Sequence, residues 1–117
     1  MVDHRISAYT MDGIWLLGKI DEYDFQAKVC DEASGFGIDY GRVIKLHAFG
    51  KSRGQELFAY ERGWDKYPKG RYKGLAQALI LFCDSLPRQE IWRNSFRKER
   101  RFLVTRDDVL EYEDDGP

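Results

Sequence analysis

The sequence has few cysteines and histidines, no excess of either charge and no long apolar run, and each shortage excludes a class of protein. Its two cysteines and two histidines are too few for a disulfide framework or a Cys/His metal site. Because the net charge is only −1, no overall field attracts the chain to nucleic acid or to a membrane. No apolar run approaches the roughly 18 residues of a membrane-spanning helix. Since no apolar signal segment follows Met1, the sequence predicts a cytoplasmic protein without a membrane partner.

What the sequence does have is the composition of a folded domain, with a change of character at Pro87. The chain has 117 residues, of which 43% are hydrophobic and 15% aromatic. Acids and bases balance before Pro87, whereas residues 88–106 carry seven basic and two acidic residues and residues 107–117 carry six acidic and no basic ones. We therefore predict a compact domain over residues 1–87 and a charged extension over residues 88–117.

Alternating apolar and polar side chains predict four β-strands within residues 13–62. Short connections between these strands favour an antiparallel meander. From Tyr72 to Leu86 the apolar spacing is that of one helical face, which includes Leu79 and Phe82 and ends before Pro87. The predicted fold is α+β: a four-stranded antiparallel β-meander with a C-terminal helix packed on one face, plus a charged C-terminal extension that contains a short helix and an arm.

Aromatic residues on either side of the predicted helix are expected to pack against the domain. Trp64 follows the last predicted strand, and we expect it to close the core between sheet and helix. In the extension, four side chains are too apolar to remain in water: Ile91, Trp92, Phe96 and Phe102. We expect them to dock on the sheet face that the helix leaves open, either in the same chain or in a second copy. A homodimer is therefore one expected outcome.

No residue pattern predicts an active site or a cofactor site. The glycine-rich residues 35–41 lack the Gly-Lys-Ser/Thr ending of a phosphate loop and lead into a strand, so we predict a loop whose backbone takes positive φ angles. His47 has no Cys, Ser or acid at a catalytic spacing, and the carboxylates of residues 21–32 are typical of solvated turns. We predict no catalytic residue, no cofactor and no metal.

One sheet face and the basic segment are the surfaces best suited to a partner. Aromatic and basic residues alternate on the face away from the helix, a pattern that can stack nucleobases and hold phosphates unless the face is covered. We assign to this face Trp15, Leu17, Lys28, Lys45, His47, Phe49, Phe58, Tyr60 and Arg62. The basic residues 97–101 suit phosphates or an acidic protein surface, unless the acidic residues that follow neutralise them. The predicted partner-binding residues are Lys45, Tyr60, Trp92, Arg93, Phe96, Arg97, Lys98, Arg100 and Arg101.

Four groups of short motifs within residues 13–86 resemble those of a known domain family. They are Gly18-Lys19-Ile20; Phe25-Gln26-Ala27-Lys28-Val29 with Asp31-Glu32; Gly37-Ile38 with Gly41-Arg42-Val43-Ile44-Lys45-Leu46; and Tyr60-Glu61-Arg62-Gly63-Trp64-Asp65. These residues resemble a small domain family of uncharacterised function that is associated with bacteriophage and prophage genomes. The resemblance implies an origin in a mobile element and no known activity. It does not extend beyond Pro87.

These observations favour a non-enzymatic protein-binding module, an accessory protein of a phage or mobile element that binds a host or phage protein. Inhibition of a host defence complex is one version of this hypothesis, and it depends on the resemblance and the small size alone. The alternative is a nucleic-acid-binding regulator that uses the mixed aromatic and basic face together with residues 88–106. An enzyme is the third hypothesis.

Overall fold

The structure is a computed structural model that describes residues 3–11, 15–105 and 109–111. It contains one antiparallel sheet of eight strands and two α-helices. The strands are β1 (His4–Met11), β2 (Trp15–Ile20), β3 (Tyr23–Val29), β4 (Val43–Phe49), β5 (Glu56–Glu61), β6 (Trp64–Lys66), β7 (Arg100–Val104) and β8 (Val109–Glu111). The helices are α1 (Tyr72–Asp84) and α2 (Gln89–Ser95). Neither helix in this described part of the chain has the length and apolar character needed to cross a membrane.

The sheet confirms the predicted α+β class and antiparallel pairing, but the predicted number of strands was wrong. The four predicted strands correspond to β2–β5, which are consecutive neighbours in the spatial order β6-β5-β4-β3-β2-β1-β7-β8. The sheet continues on both sides of this meander, through β6 at one edge and through β1, β7 and β8 at the other. Residues before and after the predicted meander therefore complete one sheet.

Both helices lie on the same face of the sheet, and one core joins them to it. Leu79 and Phe82 of α1 are fully buried, as predicted, against strand residues such as Leu46. Trp64 packs against this core, with its ring centroid 5.1 Å from that of Tyr60. The packing agrees with the predicted role of Trp64 at the end of the core.

The extension is built into the core on the helix-bearing face, so the prediction that it docks on the open face was wrong. Trp92 is fully buried and Phe96 is 3% exposed. The ring of Phe96 lies 5.4 Å from that of Phe102 in β7, and Phe102 lies 4.7 Å from Phe82 of α1. Because β7 pairs with β1 and β8 pairs with β7, the extension supplies a helix and the last two strands of the sheet. Ile91 differs from the other three predicted docking residues, since it is 55% exposed.

Arg42, at the start of β4, connects the end of α1 to the start of the extension. Its backbone N–H donates to Asp84 Oδ1 at 3.0 Å, and its guanidinium donates to the carbonyl oxygens of Cys30 (2.8 Å), Asp84 (3.0 Å) and Pro87 (3.0 Å). It also donates to the carbonyl oxygen of Leu86. Carbonyl groups at and beyond a helix C-terminus have no partner within the helix, so a single cation that satisfies several of them fixes where the chain goes next.

Candidate functional site

The sheet face away from the helices is covered by no helix of the described residues, and we call it the open face. The strand register places its side chains in rows that run across the strands. One row from β1 to β5 consists of Tyr9, Leu17, Gln26, His47 and Ala59. The next row, from β2 to β5, consists of Trp15, Lys28, Lys45 and Glu61. Tyr9 is 40% exposed, Ala59 is buried and Glu61 is exposed. The other side chains of these two rows are half-buried.

Two lysines face each other beside Trp15 in the second row, and we call these three residues the tryptophan–lysine patch. Lys28 is the direct cross-strand partner of both Trp15 and Lys45, and the Lys45 Nζ lies 5.6 Å from the Trp15 ring centroid. Within the described residues, neither lysine forms an ion pair. Like charges directly opposite each other in a sheet are destabilising, and a cation near an aromatic ring is only weakly compensated at an exposed site. The patch is therefore a local accumulation of positive charge next to a large apolar surface.

Farther along the open face, on β4 and β5, the charges are compensated within the protein. His47 Nδ1 lies 3.1 Å from Glu56 Oε2, and His47 Nε2 lies 3.0 Å from Glu61 Oε1. Each ring nitrogen therefore lies within hydrogen-bond distance of a carboxylate oxygen. The imidazole is also stacked on Phe49, with an interplanar angle of 8°. This arrangement gives His47 a structural role. It also engages Glu61, the cross-strand neighbour of Lys45 on β5, so neither lysine of the tryptophan–lysine patch has an ion-pair partner among the described residues.

The structure distributes the predicted basic partner-binding residues over several surfaces. Lys45 lies in the tryptophan–lysine patch, and Arg101 lies on the open face opposite Ser7 of β1. Arg100 pairs with Ala8, whose side chain is buried on the helix-bearing side. The remaining three are exposed on α2 or in the turn that follows it: Arg93, Arg97 and Lys98. Lys45 and the basic segment therefore do not form one continuous surface.

Three of the predicted partner-binding residues are aromatic and lie inside the core. Trp92 and Phe96 pack beneath the helices, and Tyr60 is 6% exposed. The Tyr60 hydroxyl donates to the carbonyl oxygen of Phe36 at 2.8 Å, and burial raises its pKa. The assignment of Phe58 and Tyr60 to the open face was wrong, because β5 pairs them with Ala48 and Leu46 of the core. These residues contribute packing and lie outside the candidate interface.

Comparison with known proteins identifies a family for most of the chain. Residues 14–84 match the model of a domain of unknown function, DUF7678. The chain belongs to this family. The DUF7678 region includes β2–β6 and α1, and therefore the whole tryptophan–lysine patch, whereas β1, α2, β7 and β8 lie outside it. No curated protein matches the chain, and no solved structure does.

The DUF7678 region does not contain every side chain of the open face. Tyr9 in β1 lies beside Leu17 at the border of the patch, and the sequence analysis missed it because residues 4–11 were not predicted as a strand. The alternation of buried Ile6 and Ala8 with Arg5 and Ser7 is a signal that could have identified this strand. Among the described residues, no group of three or more His, Cys, Asp or Glu side chains is arranged to hold a metal ion.

Proposed function

We propose that this protein is a non-enzymatic protein-binding module whose open face binds an acidic surface of a partner protein. The observation that carries the proposal is the pair Lys28 and Lys45, which face each other beside Trp15 without a carboxylate partner in the described residues. Carboxylates of a partner would neutralise this pair and relieve its repulsion. The patch would then stabilise the complex, although it destabilises the free protein.

The surroundings of the patch support a protein partner. Trp15, Leu17 and Tyr9 provide apolar contact area at the centre, and tryptophan and tyrosine are among the residues that contribute most to binding at protein interfaces. Charges of both signs surround them, with Lys19 paired to Asp24 at 2.9 Å and His47 held between two glutamates. A rim of mixed charge fits a protein surface better than it fits a uniformly negative polymer.

The biological setting is part of the same proposal. The resemblance of residues 13–86 to a phage-associated family supports an accessory role in a phage or mobile element, acting in the cytoplasm on a host or phage protein. The small size of the chain supports a module that acts by binding, for example by inhibiting a host defence complex. DUF7678 is described as a domain of unknown function, so the family match adds no argument for or against this setting.

The test compares charge reversal in the patch with matched charge reversal elsewhere. The double variant Lys28→Glu/Lys45→Glu and the control Lys69→Glu/Lys73→Glu change the net charge equally, and the control lysines are exposed on the other side of the molecule near the start of α1. Each tagged protein is used to capture partners from nuclease-treated and untreated bacterial lysates. We expect one protein to be retained by the wild type and the control, independently of nuclease, and to be lost with the patch variant. Equal capture by all three proteins would exclude the patch as the interface.

The second candidate function is single-stranded nucleic-acid binding, favoured by the position of Trp15 beside Lys28, with the Lys45 Nζ 5.6 Å from its ring centroid. A base stacked on the indole, with phosphates near Lys28 and Lys45, is the arrangement that such proteins use. Fluorescence anisotropy with labelled single-stranded oligonucleotides over a salt series tests it. Salt-sensitive binding that Trp15→Ala removes would favour this function over the first. Sedimentation of the free protein would show whether a second copy covers the face.

A further inference from the structure

A cavity of about 690 Å³ lies on the other side of the sheet from the open face. It opens between α1 and the ends of β1, β3 and β7, and its wall is mostly apolar, with Leu75, Leu81 and Val104 among the lining residues. Its volume is within the roughly 300–1,000 Å³ that small-molecule sites occupy, and such sites combine an apolar wall with a few polar groups that orient the ligand. The polar lining residues are His4, Asp21, Tyr23, Arg71, Gln77 and Thr105, and the first two and Arg71 carry the ionisable groups considered below.

Asp21 fixes the orientation of the His4 ring in this cavity. His4 Nδ1 lies 2.8 Å from Asp21 Oδ2, and Asp21 Oδ1 accepts the backbone N–H of Arg5 at 3.0 Å. The backbone N–H of Asp21 donates in turn to the Arg5 carbonyl oxygen at 2.7 Å. Asp21 has a φ of 53°, in the left-handed region that residues other than glycine rarely adopt. With Nδ1 engaged by Asp21, Nε2 is the ring nitrogen available to another group.

A glycine in the first turn of α1 leaves this nitrogen uncovered. After proline, glycine is the residue least favourable to a helix, yet α1 has Gly74 as its third residue. A β-carbon at Gly74 would lie 3.9 Å from His4 Nε2, at ordinary contact distance, so nothing in the packing forbids a side chain there. A residue that breaks a local rule without a packing reason is typical of a functional position.

Arg71 places a positive charge at the border of the same cavity. It is exposed, and its guanidinium carbon lies 5.3 Å from the centroid of the Tyr72 ring, which supports its position. Arg71 forms no ion pair with any carboxylate in the described part of the chain. A cavity with an apolar wall, an oriented imidazole and a guanidinium without a carboxylate partner is complementary to a molecule with one anionic end and one apolar end.

We propose that this cavity binds a small amphipathic molecule with a single anionic head group, a carboxylate or a phosphate. The head group accepts hydrogen bonds from the Arg71 guanidinium and, when both ring nitrogens of His4 carry a proton, from Nε2 as well. The apolar body lies along Leu75, Leu81 and Val104. This site is separate from the tryptophan–lysine patch, since it uses none of its residues and lies on the opposite side of the sheet. The proposal therefore does not depend on the proposed partner.

Calorimetric titration of the full chain tests the site with three probes that share a ten-carbon body: decanoate, decyl phosphate and 1-decanol. We expect at least one anionic probe to bind about tenfold or more tightly than the alcohol, because a charge-assisted hydrogen bond is worth about that factor. The comparison of decanoate with decyl phosphate identifies the head group. Equal affinity for the alcohol, or no binding of either anion, would overturn the proposal.

Three variants locate the binding. Gly74→Leu fills the cavity while improving helix propensity, so we expect an unchanged or higher melting temperature and loss of measurable probe binding. Arg71→Gln should weaken anion binding about tenfold and leave 1-decanol unaffected, and the control Lys73→Gln should change neither. If Gly74→Leu fails to fold, Leu81→Asp replaces it, because Leu81 lines the cavity and is 41% exposed, so a carboxylate there repels the probe without entering the core. Wild-type affinity in the folded Gly74→Leu or Leu81→Asp variant would exclude this cavity.

Discussion

The two faces of the sheet are formed by the same strands, yet they differ in how far their apolar side chains are buried and their charged groups are paired. On the helix-bearing face, residues such as Leu16, Leu46 and Phe82 have no exposed surface, and the last carbonyl groups of α1 are satisfied by Arg42. On the open face, Lys28 and Lys45 face each other without a carboxylate partner in the described residues. The difference indicates that the helix-bearing face determines stability, whereas the open face retains unfavourable contacts that a partner could relieve. Substitutions on the helix-bearing face should therefore lower the free energy of unfolding, whereas removing the like charges on the open face should raise it.

The largest expected effect is on the helix-bearing face, at Trp92. Because Trp92 is fully buried between α2 and the sheet, Trp92→Ala should lower the free energy of unfolding by about 3–5 kcal/mol, measured by urea denaturation. The control Ile91→Ala removes an apolar side chain that is 55% exposed on the same helix, and should change stability by about 0.5 kcal/mol or less. A loss below about 1 kcal/mol for Trp92→Ala would show that the extension is not part of the core.

The Trp92 indole also allows a finer comparison. Its Nε1 is buried and has no hydrogen-bond partner in the described part of the chain. An unsatisfied buried donor is destabilising by about 1–3 kcal/mol. Trp92→Phe removes this donor along with part of the apolar surface, and we expect it to be much less destabilising than Trp92→Ala.

The next largest effect is expected at Arg42, where the two parts of the chain are joined. Arg42→Ala removes hydrogen bonds to the carbonyl groups of Cys30, Asp84 and Pro87, and we expect a loss of about 2–4 kcal/mol by the same measurement. Arg42→Lys should recover only part of this loss, because an ammonium group donates from a single nitrogen and does not span the separated carbonyl oxygens that the three guanidinium nitrogens reach. Full recovery by lysine would show that the charge, and not the geometry, matters at this position.

The central part of the fold could be predicted because its signals are long and local. Strands β2–β4 and helix α1 each show a clear apolar period, and Leu79 and Phe82 were correctly placed in the core. The positions of Phe58 and Tyr60 could not be predicted in the same way. Residues 57–60 are all buried, so they show no alternation that distinguishes the two faces, and only the pairing with β4 decides it.

The extension shows a different limit of the sequence. The apolar character of Trp92 and Phe96 correctly indicated that they are buried, but it contains no information about which surface buries them. That choice depends on contacts distant in sequence, such as the hydrogen bond from the Gln89 side chain to the Val29 carbonyl oxygen at 2.9 Å. The cavity could not be predicted for the same reason, because its residues His4, Asp21 and Gly74 are distant in sequence and come from three separate parts of the chain.

In the loop before β4, the sequence predicts that glycines are needed but not what each glycine does. Positive φ angles occur there as expected, but at Asp39 (51°) and Tyr40 (58°). Gly37 instead allows a close approach, since a β-carbon there would lie 2.0 Å from the carbonyl oxygen of Gly41. The sequence indicates that a loop needs glycine, but not whether the reason is backbone angle or space.

The smallest expected effect has the opposite sign and tests the open face directly. Lys28→Glu replaces a like-charged cross-strand pair with an oppositely charged one, so the free energy of unfolding should rise by about 0.2–1 kcal/mol at low salt. Lys28→Gln, which removes the repulsion without adding attraction, should give a smaller gain. Both gains should shrink in high salt, because screening weakens interactions between exposed charges. If Lys28→Glu is instead destabilising, the repulsion at the patch is already compensated, and the proposed function loses the observation on which it rests. If it is more stable but no longer captures the partner, the open face has been retained for binding at the expense of stability.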